Sequence, residues 1–154
     1  MKVLVVYDSV SPMKLTAKVA KTIGEVLKEK EIQVDSLHIK NIEKADEANY
    51  YCLIVGAPTM FFKASSGIIE YLRSLSSKDF SGKLAAAFDT QLQGRFSGNA
   101  AKGIEKELKK MDFKIISPPL ITYVEGKQNQ MNLKEGELEK AKAWAQTIAE
   151  ALSK

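Results

Sequence analysis

Three short segments of the chain group side chains that could do chemistry. The first reads Asp8-Ser9-Val10-Ser11-Pro12-Met13-Lys14-Leu15-Thr16. It sets three hydroxyls, Ser9, Ser11 and Thr16, where an apolar run gives way to a helical pattern. Backbone N–H groups and the helix dipole at such a junction favour a phosphate. Helix capping competes for the same residues, since Ser11 suits an N-cap and Pro12 the first helical position. The second segment, Gly56-Ala57-Pro58-Thr59-Met60-Phe61-Phe62, carries three large apolar residues suited to lie against a planar ligand. Its competing role is packing of Phe61 or Phe62 beneath the helix that follows. The third, Asp89-Thr90-Gln91-Leu92-Gln93-Gly94-Arg95-Phe96-Ser97-Gly98, can hydrogen-bond a heteroaromatic ring edge while covering one ring face. It also reads as a long loop before a helix capped by Ser97. Neither G-x-G-x-x-G nor G-x-x-x-x-G-K-[ST] occurs, so dinucleotide and triphosphate sites lack their sequence support.

Each segment follows an apolar run of strand length: Val3 to Tyr7, Tyr51 to Val55, and Leu84 to Phe88. Near-continuous runs of this kind suit strands buried on both faces. Between them the pattern turns helical, over about Met13 to Lys30, Gly67 to Leu75, and Ala100 to Met111. Ile32 to Ile39 alternates as a half-exposed edge strand does. Lys114 to Ile116 and Leu120 to Val124 are strand-like, separated by Ser117-Pro118-Pro119. A last helix uses Leu138, Ala141, Ala145, Ile148 and Leu152, with Asn132 placed to cap it and Glu135 three residues on. Glu125 to Asn132 reads as a polar surface loop. Alternation of this kind implies an open α/β sheet of five parallel strands with helices on both faces. Ligands of such sheets sit outside the carboxyl ends of the strands, at the switch point, and all three segments fall there.

Composition narrows the function classes. The chain has 154 residues, 45% of them hydrophobic and 27% charged, which fits a single domain spanning residues 1–154. No apolar run is long enough to span a bilayer and no signal-peptide pattern opens the chain. One cysteine, Cys52, excludes an internal disulfide and suits a reducing cytoplasm. With His38 the lone histidine, neither a zinc site nor a Cys/His catalytic pair is expected. Cys52 reads as core, Trp144 as core or its rim, and His38 as an edge-strand surface residue. Net charge is +4, but lysines alternate with acids along the helices and no basic–aromatic interleaving accompanies them. Neither nucleic acid nor membrane is expected as a partner.

The order of elements, with the segments around Ser9, Pro58-Thr59 and Asp89-Thr90, resembles the flavodoxin family. Ala86-Ala87-Phe88-Asp89-Thr90 with Ser97-Gly98-Asn99-Ala100-Ala101, and Leu133 to Ala141 with Trp144, resemble its microbial, short-chain members. The resemblance covers the whole chain. It implies a flavodoxin-like 2-1-3-4-5 sheet that binds FMN, with phosphate in the first segment and the ring between the other two. Carried over residue by residue, it marks Ser9, Val10, Ser11, Met13, Lys14, Leu15 and Thr16 for the phosphate end. Pro58, Thr59, Met60, Phe61 and Phe62 fall on one side of the ring, and Asp89, Thr90, Gln91, Leu92, Gly94 and Phe96 on the other. The chain departs from the family pattern in the first segment, where Ser/Thr-x-x-Gly-Asn-Thr has lost its Gly and Asn and gained about two residues. It also lacks a Trp in the second segment and a Tyr in the third, and it is basic where flavodoxins are acidic. No glycine occupies Met60-Phe61-Phe62-Lys63, so a positive φ there would cost a bulky residue about 1–2 kcal/mol.

The implied function is FMN-dependent electron transfer, with an unknown redox partner protein. Two alternatives remain open on the sequence. One is a small NAD(P)H-dependent quinone or flavin reductase, the other a flavodoxin-fold binding module that has lost the flavin.

Overall fold

A computed structural model describes residues 2–10, 13–60, 62–94, 98–127 and 130–154. The apolar runs form strands β1 (Lys2–Tyr7), β3 (Cys52–Met60) and β5 (Leu84–Leu92), with β2 (Gln33–His38) and β7 (Leu120–Glu125) outside them. These long strands lie parallel in the order β2-β1-β3-β5-β7. Strand direction of travel across the sheet therefore reverses between β1 and β3. Helices α1 (Leu15–Glu29) and α4 (Glu137–Leu152) cover one face, and α2 (Ser66–Leu75) and α3 (Ala100–Lys110) cover the other.

Alternation along each strand divides the core in two. Val3, Val5, Cys52, Ile54, Ala86 and Phe88 pack with α1 and α4, while Leu4, Val6, Leu53, Val55, Ala85 and Ala87 pack with α2 and α3. Both halves are apolar, which is why the strands read as unbroken runs. Burial pushes the Cys52 thiol up to about 12, leaving an inert core side chain. Trp144 is also buried, its indole Nε1 donating to the Pro118 carbonyl at 2.8 Å.

The sheet is not simply five-stranded. Three short strands join it: β4 (Lys63–Ala64), β6 (Lys114–Ile115) and β8 (Asn132–Leu133). β4 folds back antiparallel on β3, and β8 pairs antiparallel with β7. β6 and β7 lie against successive stretches of β5, one strand position interrupted by Ser117-Pro118-Pro119; the prolines bring no N–H to a ladder. β3 and β5 also outrun their apolar cores. Ala57 pairs with Asp89 and Pro58 with Thr90, so residues expected in loops continue the ladder. Polar side chains hide that pairing from a hydropathy pattern.

Helix starts differ from expectation as well. α1 begins at Leu15 behind Lys14, which is left-handed at φ 52; Ser11 and Pro12, expected as its cap and first residue, lie outside the described residues. Asn99, not Ser97, caps α3 by accepting from Lys102 N at 3.0 Å. Asn132 belongs to β8, and Gly136 at φ 87 precedes α4. A glycine in the left-handed region starts that helix at no steric cost.

Gly56 pairs with Phe88 across the sheet, and a β-carbon on it would fall inside the Phe88 ring. Gly56→Ala should therefore lower unfolding free energy by about 1–3 kcal/mol through overpacking. Urea denaturation checks this, and in a Phe88→Leu background the same change should cost less.

Candidate functional site

The carboxyl ends of β1, β3 and β5 bring the three segments to one place. They enclose a cleft of about 160 Å³, lined by Ser9, Val10, Leu15 and Thr16 from the first, Pro58 and Thr59 from the second, and Thr90, Gln91 and Leu92 from the third. Val124 at the end of β7 and Met131 complete the lining. The sequence reading missed both. Met131 is a single apolar residue inside a polar stretch, and that isolation was the only available signal.

The cleft is bridged across its floor. Thr16 in the first turn of α1 and Thr90 in β5 share a buried hydroxyl–hydroxyl bond of 2.8 Å. Among the described residues no side chain caps the backbone N–H groups at the first turn of α1, the arrangement that favours an anion there. Met13 and Lys14 are exposed and do not line the cleft. Lys14 Cα instead turns the chain into the helix, Lys18 N donating to the Lys14 carbonyl at 3.0 Å.

Asp89 lies beneath this surface rather than on it, with no solvent exposure. Its Oδ2 accepts from Gln91 Nε2 at 2.8 Å, Ala101 N at 3.1 Å and Thr59 Oγ1 at 3.3 Å. Thr59 Oγ1 in turn accepts from Ala100 N at 3.0 Å, and Thr122 Oγ1 donates to the Asp89 carbonyl at 2.6 Å. Asp89 Oδ1 has no hydrogen-bond partner among the described residues. A buried carboxylate oxygen left unpaired disfavours ionisation, and burial raises the Asp89 pKa above its ordinary 3.8.

Two further residues turn out to be coupled. Asp8 is buried, its Oδ2 accepting from Ser65 Oγ at 2.6 Å while His38 Nε2 stands 3.7 Å from Oδ1. The His38 ring meets Tyr7 edge-on at 5.4 Å, and its Nδ1 accepts from Lys40 N. His38 is thus half-buried beside the first segment, not a surface residue away from it. Sequence separation hides the pair, since parallel register alone brings Tyr7 level with His38.

Phe62 is 61% exposed and sits at φ 72 despite its bulk. The β3–β4 hairpin and a bridge to Gly98 hold it there, so the expected barrier to positive φ is met rather than avoided. Met60 lines a neighbouring groove of about 420 Å³ with Lys63, Ile69, Glu70 and Arg73. Gly94 lies on the exposed run after β5. Ser11, Phe61 and Phe96 lie outside the described residues. Among those described, no helix is long and apolar enough to cross a membrane, and no group of three or more His, Cys, Asp or Glu could hold a metal ion.

No family model matches the sequence, and no curated protein matches it. Solved structures do match. Oxidised flavodoxin 2 from Bacillus cereus is 20% identical with a TM-score of 0.83, over 97% of this chain and 99% of that one. A flavodoxin from the domain Archaea gives 20% and 0.80 over the whole of both chains. Fusobacterium nucleatum flavodoxin, bound to flavin mononucleotide, gives 17% and 0.74 over 97% of each. With its long strands in the order β2-β1-β3-β5-β7 and helices on both faces, the chain has the flavodoxin fold.

Proposed function

We propose that the protein binds FMN in the cleft between the three segments and serves in electron transfer. The observation that carries this reading is the convergence of all three on one cleft beside the β1/β3 reversal, the place where sheets of this class bind ligands. The donor set suits the molecule. Ser9, Ser11, Thr16 and the uncapped first turn of α1 would hold a single phosphate. Pro58, Thr59, Met60, Phe61 and Phe62 would flank one side of the ring, and Asp89 to Phe96 the other. At about 160 Å³ the cleft is small against the roughly 300–1,000 Å³ of ordinary ligand pockets. Leu92 in its lining is exposed, and Met60 and Phe62, exposed in the same segment as Thr59, lie beyond it. Bound FMN would supply the electron chemistry, and the protein its orientation and electrostatics.

The phosphate end is where FMN differs from its analogues. Titrating ligand-free protein with FMN, riboflavin and FAD should give tightest binding for FMN. Each charge-assisted hydrogen bond that riboflavin cannot make should cost about 1.5–3 kcal/mol, or about one to two decades in Kd. Equal affinity for FMN and riboflavin would remove the first segment from the site. No binding of any flavin would remove the cofactor.

Asp89 supports the proposed ring side from below, and its titration gives a signature. Folding raises its pKa, so the folded state holds the proton more tightly than the unfolded chain. Stability from this group is full below the ordinary 3.8 and is lost as pH rises through the raised value, by about 1.4 kcal/mol per pKa unit of separation. Asp89→Asn should flatten the slope of unfolding free energy above pH 3.8. Denaturant midpoints at stepped pH decide this, and parallel slopes for both proteins would contradict it.

A further inference from the structure

At about 160 Å³ the cleft is too small for a flavin, since ordinary ligands occupy roughly 300–1,000 Å³. Part of its lining must give way when one enters. Most of that lining is held. Thr16 and Thr90 are joined through their hydroxyls. Thr59 donates to Asp89 and accepts from Ala100 N, and Gln91 Nε2 also donates to Asp89. Pro58 is paired with Thr90, and Val124 stands in the ladder between Leu92 and Leu133. Val10 and Leu92 are more than half exposed and form the rim.

Met131 differs from all of these. It is half-buried in the wall and lies outside the ladder, one residue before β8. Its unbranched side chain rotates about three single bonds. The main chain that carries it is firm. β8 returns antiparallel on β7, with Glu125 opposite Asn132, and Gln130 N donates to the Lys127 carbonyl at 2.7 Å. Gly126, at φ 118, lies so close that a β-carbon there would stand 2.5 Å from the Gln130 carbonyl oxygen and 3.2 Å from Met131 Cα. Beyond Met131, Lys134 N donates to the Tyr123 carbonyl, and Lys134 Nζ is held on Gln93 of the third segment. A wall with its main chain pinned on both sides of an unbranched side chain yields by rotamer change, not by hinge motion.

We propose that Met131 is the adaptable wall of the cleft, turning aside to admit a flavin and then packing against it. The proposal rests on the reading of the cleft as an FMN site and adds the residue that governs entry and release. Thioethers pack favourably on aromatic rings. A β-branched side chain at this position would keep the apolar character and lose the freedom, because its χ1 is stiff.

The test reads the methionine methyl groups of the full chain. The sequence has five methionines, and Met111, buried in the core on the α2/α3 face, is the internal reference. Ligand-free protein carrying carbon-13 methionine methyls is titrated with FMN and with riboflavin, and uptake is followed separately by quenching of flavin fluorescence. The signal lost in Met131→Leu assigns the resonance. Both flavins should shift the Met131 methyl and leave Met111 in place. In stopped-flow mixing, Met131→Ala should speed association and speed release about tenfold. Met131→Ile should instead slow association about tenfold, with Met131→Leu between the two. Flavin uptake with the Met131 signal unmoved would overturn the proposal and leave the FMN reading standing. Equal association rates for the Ala and Ile variants would also overturn it. No uptake of either flavin by the unaltered protein would overturn the FMN reading, and this proposal with it.

Discussion

One buried carboxylate fixes how three elements meet at the working end of the sheet. Asp89 closes β5 with no solvent exposure, receives Ala101 N from the start of α3, and receives Thr59 Oγ1 from β3. Thr59 is shared, because the same hydroxyl accepts from Ala100 N. The first turn of α3 therefore finds two acceptors outside its own helix, one on each neighbouring strand. Unsatisfied first-turn donors are costly when buried, and Ala100 and Ala101 are both buried. The second and third segments are registered against one another by this need before any ligand is considered. Among the described residues Asp89 Oδ1 is left without a partner in that arrangement.

The first segment is joined to the same assembly through Thr16 and Thr90. Thr90 neighbours Asp89 on β5 and faces the opposite way, so alternation along a single strand serves both contacts. Asp8 performs the corresponding task at β1. Its carboxylate takes the Ser65 hydroxyl at the N-cap of α2, and Gly67 passes so near that a β-carbon there would stand 2.9 Å from Oδ2. Two carboxylates thus anchor the starts of the two helices on one face of the sheet. Helix dipoles make that placement favourable.

What the sequence discloses follows from which forces leave a pattern. Runs such as Val3 to Val6 and the stripe Val19, Ile23, Val26 and Leu27 are written by burial, so the long strands and the helices were legible, while the strand order came only through the family resemblance. Pairing and capping leave weaker marks. Asp89 to Leu92 continue a ladder although polar, β6 and β7 share one strand position across two prolines, and α1 starts at a left-handed lysine. The site followed the same division. Ser9, Thr16, Pro58, Thr59, Thr90 and Leu92 were legible from their place after buried strands and do line the cleft. Asp89 as buried anchor, His38 beside Asp8, and Met131 in the wall were not, because each depends on contacts between distant stretches of chain.

The second and third segments touch through main chain rather than side chain. Phe62 and Gly98 form a parallel bridge, and a β-carbon on Gly98, itself at φ 76, would fall inside the Phe62 backbone. Only glycine fits there, both for its φ and for the close approach. Phe62 takes the left-handed region to make that approach, at a cost of about 1–2 kcal/mol. With the backbones in contact, the Phe62 side chain is turned out to solvent instead of packing beneath α2. The separation of the two segments is then independent of the side chains at Met60, Phe62 and Leu92. Those side chains set what the surface meets, while the main-chain bridge and the Asp89 network hold the cleft's shape.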